Sequence, residues 1–408
     1  MRKVYALLLT GMAIAASAVQ AQNPAPIRSL GAIVAKAPVT FDTIISVRAL
    51  SDGRVLVNDL FGLRLTMLDA SFTPTIIADT SATAPHKYGN QPSPLLNYTG
   101  DSSILIDFSS ASMIVIEPSG KYGRVMAAPN AADLQYIAIS TIFGSPGFDP
   151  SGRLVYRGAG GGLTSGPIRL GCTGAKTAPT VNGAGDTASI VRANFDTRTV
   201  DTIATVKFLI QRMEIVEMSA GCWNTRRKAD VLPFHGDEWV LLKDGTLAIV
   251  REQDYHVDWI APNGTRTSSP KMPFDWRKIT DDEKQHMIDS VTHWQDSVVA
   301  HQTIPPGAPP GYKPTAPPTV SRAEIPDFYP PLKLGSVKVD LDGNLWIPPS
   351  TSRDAKGGTL YDVVNRKGEV FERVQLEGPK YVVGFVPGFV ILASREGKRM
   401  VLEKAALK

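Results

Sequence analysis

Apolar residues along this chain come in short runs separated by turn-forming residues, and helical periodicity is nearly absent after residue 21. A tight turn containing glycine precedes an apolar run at six places, residues 51–54, 99–102, 149–152, 243–246, 341–344 and 386–388. Asp-Gly between apolar runs is a strong hairpin signal, because the turn requires positive φ values. A second turn follows five of these runs, at residues 68–71, 116–120, 195–198, 260–264 and 364–368. The pattern therefore predicts a repeated antiparallel β-unit.

Each unit holds three or four short strands over about 45–50 residues, which is the size of one blade of a β-propeller. We therefore predict an all-β fold, a six-bladed β-propeller with one helix-containing insertion. The blades are expected at about 39–79, 95–128, 136–207, 237–270, 335–377, and 380–408 together with 27–36. An all-β sandwich with fortuitous turns is the alternative.

The sixth unit ends one strand early, whereas residues 27–34 form an apolar segment that no turn precedes. Pairing of these two ends would complete the sixth blade and remove an open strand edge. We therefore expect the N- and C-terminal strands to close the ring.

The turn and strand at residues 341–347, with five weaker copies, resemble those of bacterial six-bladed β-propellers of the NHL-like and TolB-like kind. The resemblance extends over nearly all of the chain after residue 21. It implies a propeller fold. It implies no single activity, because this scaffold carries binding proteins, lactonases and other hydrolases alike.

The first 21 residues have the pattern of a cleaved signal peptide. Arg2 and Lys3 precede an apolar run of about 13 residues, and Val19 and Ala21 supply small side chains at the expected cleavage site. That run is shorter than the roughly 20 residues of a membrane-spanning helix, and no later stretch is as apolar. We therefore expect a secreted protein, periplasmic or extracellular, without a transmembrane segment after signal removal. An uncleaved N-terminal anchor is the alternative.

The balance of charges argues against a nucleic-acid partner. The chain of 408 residues has 43 Lys and Arg against 39 Asp and Glu, and the net charge of +4 is evenly spread. We expect a monomer whose partner is a small polar ligand or an envelope protein.

Three long segments are expected on one face of the propeller. Residues 158–188 follow the second strand of blade three, residues 208–237 connect blades three and four, and residues 267–333 connect blades four and five. Cys172 lies in the first segment and Cys222 in the second, so blade geometry brings the two cysteines of the chain to neighbouring places. An even number of cysteines in an exported protein favours a disulfide over a metal site.

The insertion at residues 271–333 contains a helix and a proline-rich part. Thr280 and Glu283 form a capping box, and an apolar stripe at helical spacing continues to about residue 300. We expect this stripe to pack on the propeller face. Between residues 304 and 331, 10 of 28 residues are proline, which excludes a helix or a central strand.

Candidate ligand-binding residues lie where second strands end and crossover loops begin, at the expected mouth of the central channel. They are Asp59, Arg64, Asp107, Arg157, Trp223, Arg226, Arg227, Arg251, Glu252, Tyr255 and Arg395. Mixed carboxylates and guanidiniums around a pocket suit a polar ligand. The alternative is that these charges pair with one another as a solvated rim.

No catalytic motif is evident, since the chain lacks H-E-x-x-H, G-x-S-x-G and the P-loop. We therefore expect a binding module without a cofactor, which acts through the face carrying the long insertions. The alternative is a metal-dependent, lactonase-like hydrolase with a divalent cation in the channel, for which the candidate ligands are Asn58, Asp59, Asp107 and Glu252. An oxidoreductase using a bound quinone has no support beyond the fold.

Overall fold

The computed structural model describes residues 25–45, 47–142, 144–160, 169–172, 186–208, 213–219, 221–229, 231, 235–302 and 316–407. The predicted signal peptide at 1–21 and residues 303–315 of the proline-rich segment lie outside these ranges. The described chain is mostly β-strand. None of its helices is long and apolar enough to span a membrane.

The strands occur in chain order with two α-helices between them. The first seven are β1 (Ile27–Ser29), β2 (Ile33–Lys36), β3 (Val47–Ala49), β4 (Val55–Asp59), β5 (Arg64–Leu68), β6 (Pro74–Asp79) and β7 (His86–Lys87). Next come β8 (Leu95–Asn97), β9 (Ser103–Asp107), β10 (Ser112–Ile116), β11 (Tyr122–Ala127), α1 (Leu134–Ser140), β12 (Gly147–Phe148), β13 (Leu154–Gly160), β14 (Arg169–Cys172), β15 (Thr187–Asn194) and β16 (Thr199–Lys207). These are followed by β17 (Met213–Ser219), β18 (Cys222–Arg227), β19 (Glu238–Leu241), β20 (Leu247–Arg251), β21 (His256–Ile260), β22 (Arg266–Ser268) and α2 (Asp281–Ala300). The last are β23 (Lys338–Val339), β24 (Leu345–Ile347), β25 (Leu360–Val364), β26 (Val370–Gln375), β27 (Tyr381–Val386), β28 (Phe389–Glu396) and β29 (Arg399–Ala406).

Most of these strands form antiparallel meanders, in which each strand pairs with the next one along the chain. The first meander is β3–β6 and the second is β8–β11. The third consists of β12, β13, β15 and β16, the fourth is β19–β22 and the fifth is β23–β26. The sixth is β27–β29, with β2 as its fourth strand. The second and third share one sheet through a parallel pairing of β8 with β12. Every sheet among the described residues is open.

Both faces of each meander are buried, because successive side chains of a strand point to opposite sides. In β4, Val55 and Val57 pack in a cluster with residues of the sixth meander, whereas Leu56 packs in a cluster with residues of the second. Similar apolar clusters join the second meander to the third, the third to the fourth, the fourth to the fifth and the fifth to the sixth. This two-sided burial explains why the strands are continuous apolar runs and do not alternate with polar residues.

The N-terminal segment is divided between two sheets. β2 runs antiparallel to the C-terminal strand β29, with Ile33 opposite Ala405. β1 instead adds to the fifth meander, parallel to β26. Between them, a Cβ atom on Gly31 would lie 2.8 Å from the Cβ of Ala406, so the chain passes β29 at a distance that only glycine permits. The expected single terminal strand is thus two short strands with different partners.

A separate three-stranded sheet lies outside the meanders, and the sequence analysis missed it. Its order is β14–β18–β17, so segments 158–188 and 208–237 are joined by strand pairing. Cys172 stands directly opposite Cys222 in this register. Opposite residues of antiparallel strands have Cα atoms about 4.5–5.5 Å apart, within the range that a disulfide spans.

Helix α2 begins as its sequence predicts. Thr280 and Glu283 form both hydrogen bonds of the capping box, and acidic residues fill the first turn. The stripe packs differently from the expectation: Met287, Ile288 and Val291 contact a small cluster formed mainly by other parts of the same insertion, including Ile279. Trp294 and Val298 remain exposed. Helix α1 packs between the second and third meanders and was not expected from the sequence.

We expect oxidised protein to contain no free thiol, with Cys172 bonded to Cys222. Replacing both cysteines by serine should lower the free energy of unfolding by about 3–4 kcal/mol, because a loop of about 50 residues is no longer closed in the unfolded chain. Thiol alkylation with mass spectrometry, and urea denaturation of the wild-type and double variant, measure the two effects. Two alkylated cysteines in protein purified without reductant would contradict the pairing.

Candidate functional site: a cavity between the inner strands

A cavity of about 1000 Å³ lies between the first strands of all six meanders, which we call the inner strands. These are β3, β8, β12, β19, β23 and β27. The turns that follow them complete the lining, with Ser51, Asp101, Pro150, Lys243, Leu341 and Pro387. The volume reaches the upper end of the range of small-molecule sites in proteins.

The inner strands lie side by side and run in the same direction where they pair. Gly147 of β12 is a parallel partner of Asn97 in β8, and Ser145 is a parallel partner of Val240 in β19. β3 contacts β8 and β27, and β27 also contacts β23. A Cβ on Gly384 would lie 2.7 Å from a methyl carbon of Val47, so glycine allows β27 to approach β3 closely. The turns after these strands therefore gather at one end of the cavity.

The carboxylates of the lining are occupied by the turns that they stabilise. Asp149 accepts a hydrogen bond from the backbone N–H of Ser151 at 2.9 Å and forms an ion pair with Arg153 at 2.8 Å. Asp340 accepts from the indole Nε1 of Trp346 at 3.0 Å and from several N–H groups of its own turn.

Asp101 joins the turns of the first two meanders. Its carboxylate accepts from the backbone N–H of Ser51 at 2.8 Å and from the Ser51 hydroxyl. Burial acts to raise the pKa of Asp101, but these hydrogen bonds and the charges of Arg48 and Lys243 hold it below its usual range.

Three cations line the same cavity with hydrogen-bond donors to spare. Nη1 of Arg48 donates to the carbonyl of Ala49 at 2.7 Å, and Nη2 lies 3.9 Å from Asp101, while the buried Nε has no hydrogen-bond partner within the described chain. Lys243 is exposed and Lys338 is partly buried, and neither ammonium forms an ion pair with any described residue. Burial lowers the pKa of both Arg48 and Lys338.

The charge of Glu238 acts on Lys338, but Glu238 does not line the cavity. It is buried and accepts a hydrogen bond from the backbone N–H of Gly335 at 2.5 Å. Burial raises the pKa of Glu238 to about 8, against the opposing effects of that hydrogen bond and of Lys338.

The eleven candidate residues from the sequence do not line this cavity. They lie at or near the ends of β4, β9, β13 and β20, which run antiparallel to the inner strands, or they lie in β18 and β28. Trp223, Arg226 and Arg227 belong to the separate sheet of β14, β17 and β18. The end of a second strand lies away from the turn between the first and second strands, so the candidates on second strands sit at the other end of the meanders. A ligand site there stays a prediction.

In the first two meanders these residues stabilise loops. The buried carboxylate of Asp59 accepts hydrogen bonds from the backbone N–H groups of Asp42 and Thr43 at 2.9–3.0 Å and lies 3.3 Å from Arg64. Asn58 donates to the carbonyl of Ser93 and accepts from the hydroxyl of Tyr88. Asp107 accepts from the backbone N–H of Ser109 at 3.0 Å and from the hydroxyl of Ser110 at 2.5 Å.

In the third and fourth meanders they form buried or paired contacts. Arg157 is buried with its guanidinium 3.9 Å from the ring centre of Phe208, and burial lowers its pKa to about 10. Arg251 forms ion pairs with Asp237 and Asp258, each at 2.7 Å.

Glu252 hydrogen-bonds to Nδ1 of His235. Trp223, Arg226 and Arg227 lie in β18, where Arg226 pairs with Glu214 at 3.1 Å, and Arg395 lies in β28. Within this set, ion pairs with neighbouring residues are formed by Arg64, Arg226 and Arg251.

Tyr255 is a core residue and is not exposed at a mouth. It is 1% exposed in the cluster between the fourth and fifth meanders, and its hydroxyl has no hydrogen-bond partner among the described residues. Burial raises its pKa well above the usual value, as does the nearby charge of Asp362. Asp362 is also buried and lies 2.9 Å from Arg373.

The four candidate metal ligands are engaged by other groups: Asn58 by Ser93 and Tyr88, Asp59 by Asp42 and Thr43, Asp107 by Ser109 and Ser110, and Glu252 by His235. Within the described ranges, no group of three or more His, Cys, Asp or Glu side chains is arranged to hold a metal ion. The residues present at those positions therefore do not fit a divalent cation in the channel.

The sequence analysis missed the cations of the cavity. Arg48 and Lys338 each lie three residues before a first turn, and Lys243 begins the turn at 243–246. A charged side chain inside a short apolar inner strand is the signal that could have found the first two, because such a strand otherwise buries apolar residues.

No protein-family model matches the chain, and no curated protein matches it in sequence. Several solved structures are similar in shape. A gluconolactonase from Xanthomonas campestris has 10% identity and a TM-score of 0.38, with 94% of this chain and 99% of that chain covered.

A streptogramin B lyase has 10% identity and a TM-score of 0.39, with 91% and 96% covered. The calcium-binding protein regucalcin from Agrobacterium tumefaciens has 9% identity and a TM-score of 0.39, with 94% and 97% covered. These neighbours are β-propeller proteins.

The buried Asp362 predicts a pH dependence of stability. Burial raises its pKa from 3.8 to about 6, against the opposing charge of Arg373. Its contribution to stability is fully present below pH 3.8 and is lost as the pH rises through about 6, because the charged form is disfavoured in the folded protein. When the pH rises from 4 to 7, the free energy of unfolding of wild type should therefore fall by about 1–3 kcal/mol more than that of Asp362→Asn.

Urea denaturation at the two pH values measures this difference, and Asp201→Asn on the exposed face of β16 is the matched control. Equal pH dependence in Asp362→Asn, Asp201→Asn and wild type would show that Asp362 titrates normally.

Proposed function

We propose that the six meanders are the blades of one closed β-propeller and that the protein is a binding module. In this proposal a small polar ligand occupies the cavity between the inner strands. The observation that carries the proposal is that the first strand of every meander lines the same cavity.

The packing of the meanders supports a ring over a sandwich. Apolar clusters join each meander to the next, and a further cluster joins the sixth to the first. A two-sheet sandwich would instead have one core between two large sheets. The pairing of β2 with β29 supplies the fourth strand of the sixth meander from the other end of the chain.

The proposal differs from the expectation in its choice of face. The cavity is reached from the turns after the inner strands, whereas the long insertions were expected at the ends of the second strands. Those turns are short and rigid, since aspartate side chains accept hydrogen bonds from their N–H groups. A rigid rim around a preformed cavity suits a small ligand better than an extended protein partner.

We further propose that the protein is exported and acts in the periplasm or outside the cell. The basic start, the apolar run and the small residues before position 22 support this proposal. A disulfide between Cys172 and Cys222 would be stable in such a compartment.

Blocking the rim should abolish binding. Leu341 is 55% exposed on the rim, and Leu341→Trp would fill part of the opening without disturbing the core. We expect at least one member of a panel of sugars, dipeptides and organic acids to raise the melting temperature of wild type. A ligand at 100 times its Kd stabilises by about 2.7 kcal/mol, and this gain should be lost in Leu341→Trp.

Val125→Trp is the matched control, because Val125 is 63% exposed on the outer strand β11, away from the cavity. The proposal fails if no panel member stabilises the protein, or if the stabilisation is the same in Leu341→Trp as in Val125→Trp.

A further inference from the structure

The hydrogen-bonding groups of the cavity are unequally satisfied. The three carboxylates accept hydrogen bonds from backbone and side-chain donors of their own or the adjacent turns, so their acceptor capacity is largely used. By contrast, Nε of Arg48 and the ammonium groups of Lys243 and Lys338 keep donors that no described residue accepts. The cavity therefore has unused hydrogen-bond donors but few unused acceptors.

The three cations of the lining face the three carboxylates of Asp101, Asp149 and Asp340, and Arg153 beside Asp149 adds one further positive charge. Asp149 is neutralised by Arg153, which lies outside the lining. Asp101 forms an ion pair with Nη2 of Arg48 at 3.9 Å and also acts on Lys243, whereas Nε of Arg48 has no hydrogen-bond partner within the described chain. The carboxyl that acts on Lys338 is the buried Glu238, whose pKa is raised by burial.

Removing a cation from water without a partner is costly, and this cost is relieved when an anion binds. Arg48 and Lys338 come from the first and fifth meanders, so one ligand between them would be held from two sides of the cavity. Guanidinium and ammonium groups bind carboxylates and phosphates with charge-assisted hydrogen bonds, which are stronger than those between neutral groups.

We propose that the ligand of this cavity is a small anion that bears a carboxylate or phosphate group, held by Arg48 and Lys338 with Lys243 at the rim. This inference rests on the proposed function, because it names the ligand class of the same cavity. Acidic ligands are bound there in preference to neutral sugars and alcohols of similar size.

The test measures binding of sodium phosphate, sodium malonate and neutral glycerol to the full chain by isothermal titration calorimetry at constant ionic strength and pH 7. The variants are Arg48→Met and Lys338→Met, which remove the charge and keep an apolar side chain of similar length. Lys121→Met is the control, because Lys121 is exposed in a turn outside the cavity.

We expect saturable binding of phosphate or malonate, and none of glycerol. Loss of one charge-assisted contact should weaken binding at least about 10-fold in Arg48→Met and in Lys338→Met, and Lys121→Met should bind as wild type does. The anion that binds more tightly identifies the acid group. If a variant of a partly buried cation fails to fold, Lys243→Met replaces it, since Lys243 is exposed, and the same weakening is expected.

Two results would overturn the inference. Anion binding that is equal in wild type and in the Arg48, Lys243 and Lys338 variants would place it elsewhere, as an adventitious ion only. A neutral ligand that binds in wild type and is lost in Leu341→Trp, with no binding of either anion, would overturn the anion while leaving the binding cavity in place. If Leu341→Trp leaves the binding of every panel member unchanged, the cavity is not the binding site, and this result is distinct from the other two.

Discussion

Burial of both faces of every meander is the constraint on which the rest of this structure depends. The side chains of one strand alternate between two apolar clusters, so that Leu345 faces the fourth meander while Trp346 faces the sixth. A meander of this kind cannot be the end of a row, because one apolar face would then be exposed. The first and sixth meanders solve this problem by packing on each other.

The same constraint creates a space at the centre. Inner strands that pack side by side keep a cavity between them, and the turns that follow bring polar side chains to its rim. Aspartates are needed there to hold the turns, and their charges are satisfied locally. Arg48 and Lys338 keep donors after these contacts, and in our proposal they are the groups that bind a ligand.

The sequence indicated the repeated units well, because each Asp-Gly turn has a local cause in the positive φ that glycine adopts, as at Gly53 and Gly343. The start of helix α2 was also predictable from local sequence, because its capping box is formed by Thr280 and Glu283, three residues apart. The sheet of β14, β17 and β18 was not, because it depends on pairing between distant segments. The candidate residues were chosen because polar residues after an apolar run are conspicuous, and Asp59 shows that such a residue can also hold a loop.

An experimental crystal structure of the full chain tests the central claim most directly. The account predicts six four-stranded sheets around one axis, with β2 beside β29 and Ile33 opposite Ala405. Two large sheets packed face to face, or a first meander that does not touch the sixth, would contradict it.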